Sequence, residues 1–472
     1  MTTRALLQQT AEIACAYLDT LNERRVGSLV DYTALLESMG GPMPATGEDP
    51  LNIIQRLAVA ADPGLVATPG PRHFGFVIGG ALPAALAADW LTATWDQNAF
   101  SFVLSPAGAV VEEVARQWLT SLLRLSPEMS LGIVTGATMA NFTALAAARH
   151  ALLRRVGWNV EEDGLVGAPP IAVVTNQESH VSIFAALQML GLGRARVTRI
   201  PVDDQGRMRS DALRTGLADI GSPVLVCAQA GNVNSGAFDA LPELASIVHD
   251  AEGWLHVDGA FGAWAAASPS LQHLTEGLQL ADSVAVDAHK WLNVPYDCGF
   301  AFVRDRDAHR AAMTLEAAYY APNPNEARSN HNWVPEASRR ARGFAVYAAL
   351  RSLGRDGVGR LVERCCQLAR RMAERLSAQP GVRILNDVVL NQILVRFEHP
   401  DGLDGDLFTA DIIRRVQDDG TCWLGGTTWR GMHVMRVSVS NWSTSEDDID
   451  RSAEAILRCA SQAEGNRAAG RS

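Results

Sequence analysis

The sequence predicts an α/β protein with a mostly parallel central sheet between helices, an N-terminal helical segment and a small C-terminal α+β domain. Short β-branched runs alternate with helical stretches from about residue 130 to residue 305. This alternation is typical of a parallel sheet that has helices on both faces. Apolar residues recur at helical spacing within residues 1–40, and residues 382–460 alternate strand and helix patterns. These two flanking patterns predict the N-terminal segment and the C-terminal domain.

Seven short apolar runs are the predicted strands of the central sheet, and they lie at residues 132–135, 171–175, 197–200, 223–227, 254–257, 283–286 and 299–303. Ligands bind at the carboxyl ends of the strands in such sheets, so the polar residues after each run are candidate site residues. Residues 41–80 and 319–333 predict loops, and residues 340–378 predict helix. A chain of 472 residues is too long for one simple core. We therefore predict an N-terminal segment, a large domain and a C-terminal domain at 1–85, 86–343 and 344–472.

The composition narrows the partners and the compartment. The net charge of −11 disfavours non-specific binding to nucleic acid. The seven cysteines are odd in number and scattered without a CxxC motif, which fits reduced thiols in the cytoplasm and no metal site. The N-terminus lacks the apolar core of a signal peptide. No window has the ~18 uninterrupted apolar residues of a membrane helix, so we expect no membrane partner.

Asp258 and Lys290 stand where two predicted buried strands give way to polar residues. A carboxylate and an amine at the ends of buried strands are costly unless something uses them. Pyridoxal phosphate (PLP) would use both, because its aldehyde forms a Schiff base with a lysine and its pyridine nitrogen pairs with a carboxylate. The alternatives are a helix N-cap for Asp258 and a surface position for Lys290. The PLP interpretation makes the protein an enzyme that acts on an amine or amino acid.

A turn of small residues, with Gly136, Ala137 and Thr138, follows the first predicted strand and opens an alanine-rich helix. The free backbone N–H groups and the positive dipole end of a helix favour an anion at such a turn. Gly136 and Ala137 would let a phosphate approach, and the Thr138 hydroxyl could donate a further hydrogen bond. Taken alone, an ordinary turn capped by Thr138 explains the pattern better.

Three further candidates follow predicted strands. His180 could cover one face of a flat cofactor ring, although a lone histidine is more often a satisfied residue in a helix-capping region. Asn232 lies in a Gly-rich segment and could hydrogen-bond near the cofactor, or it could belong to an ordinary turn. Ala260 is small enough for a ring to lie against the backbone.

The order of these residues resembles that of the fold type I PLP-dependent enzymes. Five features follow five separate predicted strands in this order: the small-residue turn at 136–138, His180, Asn232, Asp258 and Lys290. More narrowly, the chain is similar to the group II amino-acid decarboxylases, which include the aromatic-L-amino-acid, histidine and glutamate decarboxylases. The resemblance runs from about residue 69 to the C-terminus, and its main motifs are residues 135–141, His180, residues 256–260, residues 289–291 and Cys298.

The resemblance implies PLP as the cofactor and a homodimer with shared active sites. His180 would stack on the ring, Asp258 would pair with the pyridine nitrogen, and Lys290 would carry the Schiff base. Asn232 occupies a position where the family usually has a threonine. The full set of implied cofactor-binding residues is Gly136, Ala137, Thr138, His180, Asn232, Asp258, Ala260, His289 and Lys290.

The same comparison implies a substrate site. Phe76 and Ile78 lie in an apolar, Gly-rich segment that could accept a bulky apolar or aromatic side chain. Phe100 and Phe102 fit a pocket wall, which in this family can come from the neighbouring subunit. Core packing explains these four side chains equally well. Arg436 resembles an arginine that can bind a substrate carboxylate, and the alternative is a strand-end arginine paired with a local acid.

The loop at 319–333 departs from the family, in which a longer mobile loop carries a tyrosine that returns a proton to the substrate carbon. Here Tyr319 and Tyr320 stand at the start of the loop. We take Tyr320 as the candidate donor, with His331 and Lys290 as alternatives. The leading hypothesis is a PLP-dependent carboxy-lyase of an L-amino acid with an aromatic or bulky apolar side chain. Because the donor decides the product, aldehyde formation, retro-aldol cleavage and transamination remain alternatives, as does a non-catalytic PLP-binding protein.

Overall fold

The structure of the protein, a computed structural model, describes residues 1–221, 223–314, 329–402 and 404–469, with side chains as far as residue 464. The described residues form two compact units, each of which combines separate stretches of the chain. The smaller unit contains Met1–Ile78, Arg371–Leu385 and the chain from Leu394 onward, and the larger unit contains Gly79–Arg370 and Asn386–Ile393. The domain boundaries after residues 85 and 343 stay predictions.

Three helices open the smaller unit, namely α1 (Thr3–Thr20), α2 (Tyr32–Met39) and α3 (Pro50–Ala61). Asp31 and Asp49 cap the second and third helices, because their carboxylates accept hydrogen bonds from N–H groups of the first turn. Pro50 suits the first position of α3, where no N–H is needed. The prediction of a loop over residues 41–80 is therefore wrong at α3, where the Asp-Pro start outweighs the surrounding Pro and Gly residues.

The larger unit contains the central sheet. Its strands are β1 (Ser130–Val134), β2 (Ala172–Asn176), β3 (Thr198–Ile200), β4 (Val224–Gln229), β5 (Trp254–Asp258), β6 (Ser283–Asp287) and β7 (Gly299–Val303). Its helices are α4 (Pro83–Trp95), α5 (Pro106–Leu122), α6 (Ala137–Arg155), α7 (Val160–Asp163), α8 (Val181–Met189), α9 (Ser210–Leu217), α10 (Leu241–Asp250) and α11 (Arg306–Met313). Each predicted strand ends within two residues of an observed one.

The strand order in this sheet is β1-β7-β6-β5-β4-β2-β3. Parallel pairs join β3, β2, β4, β5 and β6, whereas β7 is antiparallel to both β6 and β1. Every residue of β1, β4, β5, β6 and β7 is buried, as expected for strands covered on both faces. The prediction of a mostly parallel α/β sheet is confirmed, and its carboxyl edge carries the candidate residues.

The rest of the chain begins with the long helix α12 (Gly343–Ser377), which is interrupted at Gly354, where φ is +62°. The later elements are β8 (Val382–Ile384), β9 (Gln392–Phe397), α13 (Gly405–Asp419), β10 (Gly425–Trp429), β11 (Met432–Ser438) and α14 (Glu446–Ala469). The strands form a sheet of order β10-β11-β9-β8, which confirms the predicted C-terminal α+β region. Within the described ranges, no helix combines the length and the apolar character that crossing a membrane requires.

The buried ring of His73 in the smaller unit leads us to predict that part of the free energy of unfolding depends on pH. Its ring stacks on Trp423 with centroids 5.1 Å apart, and burial lowers its pKa from 6.5 to about 4. The neutral ring therefore stabilises the fold above the unfolded pKa, and this contribution is lost as the pH falls because the unfolded chain binds the proton first. We expect His73→Phe, which keeps a stacked ring but does not titrate, to gain stability relative to wild type as the pH falls from 6.5 to about 4.

Denaturant unfolding of both proteins at about pH 5 and about pH 8 measures this difference in the free energy of unfolding. A difference between variant and wild type that does not change with pH would contradict the assignment.

Candidate active site

A cavity of about 360 Å³ lies at the carboxyl ends of β1, β4, β5 and β6, and the helices α6 and α8 begin beside it. Its volume is in the range of pockets that hold small ligands. All of its lining residues belong to the larger unit. All but one of the predicted cofactor-binding residues line it, and these are Gly136, Ala137, Thr138, His180, Asp258, Ala260, His289 and Lys290.

Asp258 is the last residue of β5 and is only 6% exposed. Its Oδ1 accepts a hydrogen bond from the backbone N–H of Ala260 at 3.1 Å, and its Oδ2 accepts one from Asn141 Nδ2 at 3.3 Å. The first of these bonds closes a local turn two residues ahead, and the N-cap of the next helical turn is Phe261 rather than Asp258. The carboxylate nevertheless lines the cavity, where it can pair with a protonated ring nitrogen.

Lys290 follows β6 and is the only lysine of the chain, since the 41 basic residues comprise 40 arginines and this one lysine. Its Nζ lies 2.8 Å from Asp287 Oδ2, and its side chain is 17% exposed. Arginine serves wherever a fixed positive charge is needed, but only lysine supplies an amine that can lose its proton and act as a nucleophile. The lysine content is a sequence signal for the site that the motif analysis did not use.

Asp287, the last residue of β6, is a site residue that the sequence analysis missed. Its Oδ1 accepts a hydrogen bond from the Ala137 N–H at 2.6 Å and lies 3.3 Å from His289 Nε2. The same carboxylate pairs with Lys290 through Oδ2. Asp287 ends a buried strand as Asp258 does, so the signal that identified Asp258 was also present here.

The turn at the start of α6 has little room around it. A Cβ added to Gly136 would lie 2.9 Å from His289 Cε1 and 3.2 Å from Asp287 Oδ1. The Ala137 N–H already has Asp287 as its acceptor, so a phosphate at this turn must share that group or use its neighbours. Burial lowers the pKa of His289, and the nearby Asp287 carboxylate opposes this shift.

His180 has both of the roles weighed from the sequence. It is the N-cap of α8, and its Nδ1 accepts a hydrogen bond from the Ser182 N–H at 3.2 Å. The same ring lines the cavity. The capping contact therefore fixes the position of a ring that is also available to a flat ligand.

Asn232 is the predicted cofactor residue that the structure does not place at the cavity. Its Oδ1 accepts hydrogen bonds from the backbone N–H groups of Asn234 and Ser235 at 2.8 and 3.1 Å. The side chain thus closes its own turn, as the ordinary-turn alternative requires. Its neighbours Gly231 and Val233 line the cavity instead.

Phe100 and Phe102 are not among the residues that line this cavity in the described part of the larger unit. The Phe100 ring is buried and stacks on His331 with centroids 4.2 Å apart and an interplanar angle of 6°. Phe102 is 41% exposed. A role for either side chain in a site of this subunit or its neighbour stays a prediction.

The other predicted substrate residues belong to the smaller unit. Phe76 stacks on Trp423 with centroids 5.4 Å apart, and Ile78 ends the first segment of that unit. Arg436 lies in β11, and burial lowers the pKa of its guanidinium. Their roles stay predictions, and Tyr320 lies outside the described residues.

The residues at the cavity fit PLP. The cavity has a nucleophilic amine for the aldehyde of PLP, a buried carboxylate for its pyridine nitrogen and a histidine ring that can stack on its face. The turn at the start of α6 can bind its phosphate. Over residues 35–398 the chain matches the model of the pyridoxal-dependent decarboxylase conserved domain.

The chain belongs to the pyridoxal-dependent decarboxylase family. This decarboxylase is a PLP-dependent carboxy-lyase, and PLP is its cofactor. The predictions of cofactor and reaction class are confirmed.

Three relatives of this decarboxylase illustrate its similarity. An aromatic-L-amino-acid decarboxylase of Bacillus atrophaeus is 24% identical over 462 residues, which cover 94% of this chain and 93% of that protein. An L-2,4-diaminobutyrate decarboxylase of Rhizobium meliloti (strain 1021) is 28% identical over 471 residues, with coverages of 98% and 91%. A 4-hydroxyphenylacetaldehyde synthase of Rhodiola rosea is 25% identical over 452 residues, with coverages of 92% and 90%. The crystal structure of the Rhodiola rosea synthase shares the fold, with a TM-score of 0.87 at 22% identity and coverages of 98% and 99%.

Gly299 packs directly against Gly136, in the turn at the start of α6 where this decarboxylase is expected to bind the phosphate. A Cβ at the start of β7 would lie 2.5 Å from Gly136 Cα and 2.6 Å from Gly136 C, which are backbone atoms that cannot rotate away. We expect Gly299→Ala to displace the start of α6 at a cost of about 1–3 kcal/mol and to weaken PLP binding about tenfold or more. Titration of the apo-protein with PLP measures the dissociation constant.

Gly425→Ala is the matched control, because this strand glycine has no heavy atom within 4 Å of the added Cβ. Equal PLP affinity in Gly299→Ala and wild type would contradict the predicted displacement.

Proposed function

We propose that the protein decarboxylates an L-amino acid with an aromatic or bulky apolar side chain, as a cytoplasmic homodimer. The observation that carries the proposal is the convergence of Lys290, Asp258 and His180 on one cavity. All seven cysteines are unpaired in the structure, which supports the cytoplasmic location.

The proposed roles follow from the chemistry of each side chain. Bound PLP supplies an electron-accepting ring that weakens bonds at the substrate α-carbon. Lys290 attaches the cofactor covalently, and Asp258 holds a proton at the ring nitrogen. His180 would lie against the ring face of bound PLP and would limit the tilt of the ring. Rigid strand ends and a helix cap hold these groups in place before the substrate binds.

The names of the relatives support the aromatic substrate class only in part. The Bacillus atrophaeus relative is named for aromatic L-amino acids, whereas the Rhizobium meliloti relative is named for a diamino acid. The predicted substrate segment at 74–80 favours the aromatic class, because it is apolar and Gly-rich and carries no charge that could pair with a second amine. We therefore rank aromatic substrates first and L-2,4-diaminobutyrate as the comparison substrate.

Aldehyde formation is the second candidate outcome. The Rhodiola rosea relative is named as an aldehyde synthase, so the same fold occurs with a different product. We propose Tyr320 as the proton donor that directs the reaction to the amine, with His331 and Lys290 as the alternatives.

A substrate panel tests the function. We expect holoenzyme incubated with L-tryptophan, L-tyrosine, L-phenylalanine or L-2,4-diaminobutyrate to release carbon dioxide and the matching amine from at least one aromatic substrate. Mass spectrometry distinguishes the amine from an aldehyde with ammonia. Retention of the carboxylate by every amino acid consumed would sink the proposal, and aldehyde as the main product would favour the second candidate.

Lys290→Arg is the control for the panel, because it keeps a positive charge near Asp287 without a nucleophilic amine. We expect it to lose the visible absorbance of lysine-bound PLP and at least about a thousandfold of activity. Borohydride reduction of the wild-type holoenzyme should label this one lysine, which is unambiguous because the chain has no other.

An exposed apolar run supports the homodimer. Phe102, Val103 and Leu104 are 41%, 71% and 55% exposed, and no residue of α1, α2 or α3 is fully buried in the single chain. Contiguous apolar surface of this kind marks association sites. We expect sedimentation equilibrium to show a dimer that Val103→Glu weakens.

Val166→Glu is the matched control, because Val166 is 93% exposed at a separate position. A monomeric wild-type protein, or a dimer that both variants weaken equally, would contradict this interface.

A further inference from the structure

A buried chain of hydrogen bonds joins three of the residues that line the cavity, namely Asp258, Ser182 and His180. Asn141 in α6 is fully buried, and its Nδ2 lies 3.3 Å from Asp258 Oδ2 and 3.2 Å from Ser182 Oγ. Ser182 Oγ lies 2.8 Å from His180 Nδ1. One amide group therefore contacts the carboxylate at the end of β5 and the serine that holds the capping histidine of α8.

The direction of hydrogen bonding at His180 follows from its partners. The backbone N–H of Ser182 can only donate, so the Nδ1 that it contacts at 3.2 Å is an acceptor. The Ser182 hydroxyl therefore donates to the same Nδ1 and accepts from Asn141 Nδ2. A neutral His180 consequently carries its proton on Nε2.

The hydrogen bonds that run from Asn141 through His256 to Ser283 can be given a direction in the same way. Asn141 Oδ1 lies 2.9 Å from His256 Nε2, and His256 Nδ1 lies 2.9 Å from Ser283 Oγ. Burial lowers the pKa of His256 to about 4, so its ring is neutral and one nitrogen donates while the other accepts. The indole N–H of Trp254 can only donate, and it does so to Ser283 Oγ at 2.9 Å.

These contacts leave a single consistent arrangement. Ser283 donates to His256 Nδ1, and His256 Nε2–H donates to Asn141 Oδ1. A flipped Asn141 amide would turn its oxygen toward the Asp258 carboxylate, so that two acceptors would face each other 3.3 Å apart. The charge of Asp258 thus sets the amide orientation, and the amide sets the hydrogen bonds on both sides.

We propose that Asn141 is a positioning residue that couples Asp258 to Ser182 and His180, and that this chain holds His180 as the Nε2–H tautomer. The proposal rests on the proposed function, in which Asp258 and His180 contact the ring nitrogen and the ring face of PLP. Asn141 thereby fixes the position of Asp258, which would hold the proton on the ring nitrogen, relative to that of His180, which would hold the ring plane.

Removal of the Asn141 amide tests the coupling. Asn141→Ala takes one of two hydrogen bonds from the buried Asp258 carboxylate and the donor from Ser182. Because bonds to buried charged groups are strong, we expect about tenfold weaker PLP binding by the apo-protein and an altered pH titration of the bound-cofactor absorbance. Asn141→Asp, which brings a second carboxylate against Asp258, should weaken binding more.

Asn386→Ala is the matched control. Asn386 is a buried asparagine of the larger unit whose Nδ2 donates to Ser235 O and Gln392 O, both at 2.9 Å, with no contact to Asp258. We expect it to lose stability while PLP affinity and the absorbance titration stay as in wild type. A merely structural role for Asn141 would make the two alanine variants alike and would overturn the proposal.

The tautomer has its own measurement. Nitrogen NMR of apo-protein with labelled histidine, with the His180 signals identified by their loss in His180→Asn, should show a protonated Nε2 and an unprotonated Nδ1 that changes in Ser182→Ala. A protonated Nδ1 in neutral His180 would overturn the second half of the proposal. If wild type binds PLP but decarboxylates no amino acid, the proposed function fails while these binding and NMR comparisons still decide the positioning role.

Discussion

The parallel pairing of β5 with β6 is the constraint on which the site depends. Neighbouring strands that run in the same direction end at the same edge of a sheet, so Asp258 and Asp287 reach one edge as the last residues of these strands. Lys290 then needs only the short turn after β6 to reach the same cavity. The antiparallel pairing of β7 with β6 adds Gly299 behind the start of α6, where no side chain fits. The anion-binding turn is thus held by the same sheet.

Much of this arrangement could be predicted because it is local in the sequence. Strand ends follow from apolar runs that stop at a polar residue, and this signal located Asp258, Lys290 and the turn before α6. The Asp-Pro start of α3 is equally local, and the prediction missed it because Pro and Gly content was averaged over a long stretch. The local signal for α3 was therefore present in the sequence, but the composition of the surrounding stretch outweighed it.

The remainder depends on contacts between distant residues, which no local pattern encodes. Asp287 receives its hydrogen bond from Ala137, 150 positions earlier in the chain, and Asn141 contacts Asp258 across 117 positions. Strand order and helix placement bring these pairs together. Asn232 shows the converse case, since its motif suggested a ligand contact but its amide closes a turn two and three residues ahead.

Asp287 adds a negative charge at the start of α6. Its carboxylate sits at the positive end of α6, where a phosphate is also expected, so the helix dipole must offset two anions. Burial lowers the pKa of the neighbouring His289, so its ring offers these anions a hydrogen bond rather than a positive charge. Its ion pair with Lys290 supplies part of the compensation only while that amine is protonated. The Ala137 N–H donates to the other oxygen of this carboxylate, Oδ1. The first turn of α6 and Lys290 are therefore held by the two oxygens of one carboxylate.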